Sequence, residues 1–333
     1  MRRSLLIFLL LLSAFRALAQ VGEPTFSFLN LPYSTAASGV GGNSVSSQES
    51  DLNMVLHNPA ILEGDFDRNA SVSYLNYMAD IQVGSAIYAW KQKDRGAWMA
   101  GVRYVDYGNM LWTSNEGVIL GETGATDLAL SMGYAMPLTD RLQAGIQVGW
   151  LYSALGEYVA SGLYSDLGLY YLNTESLFSA GLVLKNMGVQ TNAYDETYES
   201  LPWDIQLGFS KKLAHAPFRL TATVQSLSNL DIQYVDRTEQ ENIKQPTFVQ
   251  KLFKHVNLGL ELVPNDQFLV SFGCHFRRLN ELGIEQRTPF GGFTLGMAIR
   301  MKTGRIGASY AKYHLSGNAL QMSYSVDLSK IGL

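Results

Sequence analysis

Leu142-Gln143-Ala144-Gly145-Ile146-Gln147-Val148-Gly149-Trp150 alternates an apolar side chain with Gln or Gly over its whole length. Successive side chains of a strand point to opposite faces, so such a stretch has one face suited to hydrocarbon and one suited to water. The same division recurs at 203–209, 218–224, 256–262, 268–276, 293–301 and 320–328, and groups such as Asn257, Glu261, His275, Arg300 and Asp327 fall on the polar side. Candidate strands number fourteen, near 69–79, 81–90, 97–107, 126–136, 141–152, 163–172, 177–186, 203–212, 218–227, 255–263, 267–278, 290–301, 304–313 and 318–328. The first, second and sixth alternate least clearly.

The connections decide between a soluble sandwich and a membrane barrel. Every second one is tight (91–96, 137–140, 173–176, 213–217, 264–266 and 302–303), while the long ones (108–125, 187–202, 228–254 and 279–289) all fall in the other set. Short turns at one end and long loops at the other are the pattern of outer-membrane barrels. The expectation is an all-β fold: a transmembrane antiparallel β-barrel of about 14 strands, long loops extracellular and termini periplasmic, in the outer membrane of a Gram-negative bacterium.

Composition agrees. Hydrophobic residues make up 47% and charged residues 16%, yet mean hydropathy is only +0.01, as expected when lipid-facing and lumen-facing residues average out. Tyr, with 18 copies, suits the lipid interface, and 31 Gly suit tight curvature. A net charge of -4 carries no nucleic-acid footprint. Cys274 is the only cysteine, so no internal disulfide or Cys-based zinc site forms.

Three segments divide the chain. Arg2 and Arg3, the apolar run 5–12 and Ala17-Leu18-Ala19 make residues 1–19 a secretory signal peptide. Residues 66–333 form the barrel. Residues 20–65 do not alternate; we read them as an N-terminal plug or hatch, the alternative being a flexible periplasmic linker. In that segment Asp51 is a candidate N-cap for a short helix through Leu52, Val55 and Leu56, interrupted by Pro59. Gly39-Val40-Gly41-Gly42 lacks the strand and helix context of a nucleotide site and reads as a sharp turn.

The segment Phe26-Ser27-Phe28-Leu29-Asn30-Leu31-Pro32-Tyr33-Ser34, followed by Gly41-Gly42, Asp51 and the box Asn58-Pro59-Ala60-Ile61-Leu62, resembles the start of the PorV/PorQ family, whose barrels are similar to FadL long-chain fatty-acid transporters. The box is shared more widely among FadL relatives. The chain departs from the family pattern at Ser38-Gly39-Val40 and at its non-aromatic last residue, Leu333. The resemblance implies a non-enzymatic role in the type IX secretion system. It implies an anchor and scaffold in a cell-surface attachment complex with PorU, PorV and a PorZ-like surface protein, which processes secreted cargo and joins it to lipopolysaccharide. The alternative it leaves open is FadL-like transport of hydrophobic small molecules; a plain porin would be obstructed by the plug.

Candidate partner-binding side chains are the loop aromatics Trp112, Tyr194, Tyr198, Trp203 and Tyr234; for Trp203 above all, membership of the interfacial girdle is the competing reading. Asn58, Pro59 and Ala60 are the plug motif. No cofactor, metal or catalytic residue is expected: the five His lack metal-ligand spacing, and His275 with Ser271 on the same face has no orienting third group. Arg103, Asp166, Lys185, Asp204, Arg219, Glu261, Arg300 and Asp327 fall on lumen-facing positions, and their mixed signs suggest pairing that braces wall and plug.

Overall fold

The structure, a computed structural model, describes residues 24–62, 66–92, 95–114, 117–229, 248–281, 291–312 and 317–332. Fourteen antiparallel strands close into a barrel: β1 (Asn69–Asn76), β2 (Gln82–Lys91), β3 (Ala97–Thr113), β4 (Ile119–Thr139), β5 (Leu142–Leu155), β6 (Tyr158–Asn173), β7 (Phe178–Asn192), β8 (Asp204–Lys212), β9 (Phe218–Val224), β10 (Val256–Asn265), β11 (Phe268–His275), β12 (Phe293–Arg300), β13 (Gly304–Lys312) and β14 (Asn318–Asp327). Each strand pairs with its sequence neighbours, and β1 closes on β14 from Asn69↔Asp327 to Asn76↔Leu320. Closure leaves no sheet edge in hydrocarbon, where an unpaired backbone group costs several kcal/mol.

Alternation sorts the faces as the sequence predicts. Along β14, Leu320, Met322 and Tyr324 are exposed, whereas Gln321, Ser323 and Ser325 are buried; Met322 is 56% exposed and its neighbour Gln321 1%. Apolar outside and polar inside inverts the arrangement of a soluble domain.

Several expectations change. The stretch 108–125 is not a long loop: β3 and β4 continue past the barrel as a two-stranded ribbon, closed by Ser114 N–H donating to Val118 O at 2.8 Å. Alternation stops there because both faces are exposed, while cross-strand pairing does not. β5, β6 and β7 also run further than expected, to Leu155, from Tyr158 and to Asn192. The helix expected after Asp51 is not α: Asp51 caps a 3₁₀ turn, Leu52–Leu56, and Asn58 caps a second, Pro59–Ile61. Asp327 does not brace the lumen, since it caps the terminal 3₁₀ turn Leu328–Ile331 and pairs with Lys330 at 2.8 Å. Arg300 is exposed at the tight-turn mouth, where its Nη2 donates to Ser50 Oγ at 2.7 Å.

Candidate functional site

Residues 24–62 run through the barrel interior, and their local folding explains how. Ser34 caps helix α1 (Thr35–Gly39), its Oγ accepting from the backbone of Ala36 and Ala37. The chain then reverses through Gly41 (φ 103°) and Gly42 (φ 95°), a left-handed conformation that glycine adopts without steric cost. Asp51 and Asn58 cap the N-termini of the 3₁₀ turns Leu52–Leu56 and Pro59–Ile61, their side chains accepting from the backbone N–H of Asn53 and Ala60.

The wall receives this segment through two ion-pair clasps. Arg305 Nη1 on β13 lies 3.2 Å from Asp51, which also accepts from Ser34 Oγ at 2.7 Å and Asn53 Nδ2 at 2.9 Å. Arg219 on β9 binds Glu261 of β10 through Nε (2.6 Å) and Nη2 (3.1 Å), and its Nη2 also reaches Glu49 of the segment. All five groups are buried or nearly so, and a buried charge is tolerated only when paired and hydrogen-bonded. Neutral bonds complete the clasp: Asn43 Nδ2 donates to Gln206 and Gln225, Ser46 meets Ser210 at 2.9 Å, Ser179 Oγ donates to Ser46 O, and Thr35 meets Ser323 at 2.8 Å.

Inward-facing glycines make the fit close. A Cβ built on Gly168 falls on Asn58 Oδ1, one on Gly145 on Pro59 and Ala60, and one on Gly181 on Val45 O. The Asn58-Pro59-Ala60 box therefore lies against bare backbone of β5, β6 and β7. Asn58 Nδ2 donates to Val45 O at 2.8 Å and to Leu169 O at 3.3 Å. On the other side, Gly39 and Gly296 meet backbone to backbone, and Gly41 N–H donates to Thr294 Oγ1 at 3.0 Å.

The interior is chemically divided. Phe26, Phe28, Leu52, Leu56, Met99, Val105 and Leu151 form an apolar cluster toward β1–β5, whereas β8–β14 supply mainly Gln, Ser, Thr, Asn and the charged clasps. Within the apolar cluster Arg103 of β3 is fully buried against the rings of Tyr33 (5.1 Å) and Tyr164 (5.3 Å), and it donates to Tyr164 Oη.

His57, also buried, shares its Nδ1 with Asn43 Oδ1 at 3.0 Å. Burial, then the charges of Lys185 and Arg103, hold its pKa well below the ordinary value. Burial raises the carboxyl of Asp51, but Arg305, Ser34 and Asn53 outweigh it and hold the pKa below the usual range. Both folded pKa values lie below the unfolded ones, so both groups add stability above the unfolded pKa that is lost as pH falls: for His57 from about 6.5 downward, for Asp51 from about 3.9 downward. We expect His57→Gln to reduce the pH slope of unfolding between about pH 6.5 and 4.5 by up to one proton, roughly 1.4 kcal/mol per pH unit. Urea midpoints measured across that range check it; an unchanged slope would mean that His57 is not held neutral.

The proposed partner-binding aromatics do not form one site. Tyr194 turns inward, packs on the apolar cluster and donates to Ser153, which in turn bonds Asp127. Trp112 is exposed on the β3–β4 ribbon, Tyr198 is exposed in the 193–203 connection, and Trp203 is exposed just before β8. Tyr234 lies outside the described residues. His275 and Ser271 are not bonded to each other: His275 Nε2 meets Gln225 at 3.2 Å. Sequence reasoning missed the third member of the Arg219 clasp, Glu49, and the close-approach role of the inward glycines. At the tight-turn mouth, Glu49, Lys212, Arg219, Asp266, Arg300 and Arg305 line a polar cavity of about 250 Å³.

A closed 14-strand barrel with this sorting of faces is the architecture of an outer-membrane protein. No family model matches the chain, and no curated protein matches it. Among solved structures it is similar to the toluene transporter TodX of Pseudomonas putida (12% identity, covering 89% of this chain and 98% of that one, TM-score 0.56). It is also similar to the toluene transporter TbuX of Ralstonia pickettii (15%, 89% and 96%, TM-score 0.52) and to a FadL homologue of Pseudomonas aeruginosa (13%, 88% and 98%, TM-score 0.51). At these identities the likeness shows the fold, a FadL-like outer-membrane barrel. The specific motifs of the PorV/PorQ resemblance lie between residues 22 and 64, and none of these comparisons bears on them.

Proposed function

We propose that the chain is a sealed outer-membrane barrel, long loops outward and termini periplasmic, acting without catalysis as an anchor and scaffold of a type IX attachment complex. Its place there would be that of a PorQ-like protein, holding a PorZ-like surface protein beside PorU and PorV. The observation that carries this reading is the lumen: residues 24–62 are clasped to the wall by buried ion pairs on one side and packed as an apolar core on the other. Such a filling suits a plug more than a conduit. The motifs of residues 26–62 supply the link to secretion.

The fold neighbours favour a second reading, transport of hydrophobic small molecules, and they support it better than they support secretion. In that reading the apolar side of the lumen, around Phe28, Leu56 and Met99, parts to let a ligand pass. A deletion strain separates the two. The scaffold reading expects unchanged uptake of labelled toluene and oleate, together with loss of surface-attached cargo and of a surface protein recovered with the barrel. Lost uptake with normal cargo attachment would replace it with transport.

A further inference from the structure

We infer that the ribbon formed by the distal halves of β3 and β4 is a docking edge for a β-strand of an extracellular protein, a strand that alternates apolar residues with Lys or Arg. The inference rests on the scaffold reading and locates its partner surface.

A tilted strand crosses the hydrocarbon in about 9–11 residues. β4 has 21 and β3 has 17, so both overshoot the membrane at the long-loop end. Beyond Asp106 no strand pairs with β3 on the β2 side, and beyond Ala125 none pairs with β4 on the β5 side, among the described residues. A two-stranded ribbon is marginally stable in water by itself, and its edges present backbone donors and acceptors to any strand that approaches. Proteins usually protect such edges with Lys or Pro; neither occurs between residues 104 and 136.

The side chains make the exposure sharper. Leu111, Trp112, Val118, Ile119 and Leu120 are each more than half exposed, on a ribbon that stands outside the lipid belt. Large apolar side chains this exposed, gathered on one short ribbon, mark an interaction site. Lipopolysaccharide sugars offer it no apolar counterpart.

Charge selects the occupant. No Lys or Arg occurs between Arg103 and Arg141, while Asp106 and Glu122 give the described part of the ribbon a single negative sign. A second copy would bring like charges together. A basic strand is complementary, and its backbone can extend the sheet at β3 from Asn109 to Thr113, where the unpaired run is longest. The bulge between Asp106 and Asn109, with Gly108 at φ 70°, turns this edge relative to the barrel wall.

The test places a photoreactive residue at Met110, and separately at Tyr198, in the full chain in intact cells, and maps the crosslinked peptide. We expect the Met110 probe to capture an extracellular protein through a segment alternating apolar with basic residues. The double variant Leu111→Asn, Ile119→Asn should recover that protein at least tenfold less, with the heat-modifiable barrel unchanged. Crosslinks from Met110 to lipopolysaccharide or to a second copy, or unchanged recovery by the double variant, overturn the inference. Capture at Tyr198 but not at Met110 leaves the scaffold reading standing and removes the ribbon as its surface; capture at neither position removes both.

Discussion

Gly168→Val is expected to expel the Asn58-Pro59-Ala60 turn from the lumen while leaving the barrel closed. A Cβ at position 168 falls on Asn58 Oδ1 and lies 3.1 Å from Ala60 N, so the wall and the turn cannot both keep their places. Strand pairing of β6 with β5 and β7 is backbone to backbone and survives. What goes is the packing of the turn and the bonds Asn58 makes to Val45 O and Leu169 O. Overpacking costs about 1–3 kcal/mol, and each buried group left unpaired about 1–3 kcal/mol more. A thiol placed at Ser46 should become reactive to a water-soluble maleimide in the variant and stay protected in the parent. Gly84→Ala is the control: nothing lies within 4 Å of its added Cβ, and it should change nothing. Equal protection in parent and Gly168→Val would mean that the turn does not rest on β6.

Arg219→Met should be the most destabilising single change in the clasp. Arg219 is the shared partner of Glu49 and Glu261; removing it leaves two buried carboxylates without the cation that bonds them both. Breaking a buried ion pair on one side typically costs about 3–5 kcal/mol. The defect should shrink in acid, because protonation removes the repulsion. It should also shrink in the triple variant Arg219→Met, Glu49→Gln, Glu261→Gln, which leaves no charge at these three positions. Urea midpoints of the two variants near pH 7.5 check this, and a single variant as stable as the triple would show that the carboxylates are not buried together.

The strands were legible because lipid and lumen impose opposite demands on alternate residues, and this holds wherever a strand has both neighbours. Leu320, Met322 and Tyr324 against Gln321, Ser323 and Ser325 could be sorted by eye. Where the physics changed, so did the reading. Between 108 and 125 both faces are largely exposed, so alternation vanished although the backbone stayed paired, and a ribbon looked like a loop. Residues 51–61 carry caps that sequence can name, Asp51 and Asn58, but tertiary contact decided that the turns would be 3₁₀ rather than α.

The wall–segment contacts were the least legible part. Arg219 and Glu261 stand opposite each other across β9 and β10, yet a connection of some thirty residues hides that register in the sequence. Glu49 sits in an irregular stretch with no period to place it. The inward glycines were visible as glycines between outward apolar residues, and curvature was the available explanation; their closeness to Val45, Asn58 and Gly39 needs the segment in place.

The central claim is that residues 24–62 occupy the lumen. In a Cys274→Ala background, the pair Ser46→Cys and Ser210→Cys replaces hydroxyls that lie 2.9 Å apart, one on the segment and one on β8, within the range a disulfide can bridge after small adjustment. Mild oxidation of the full chain in outer-membrane vesicles, followed by tryptic digestion and mass spectrometry, measures the crosslink. A linked peptide pair joining position 46 to position 210 is expected in nearly every folded molecule; two free thiols, both open to a water-soluble reagent, would contradict a lumen filled by residues 24–62.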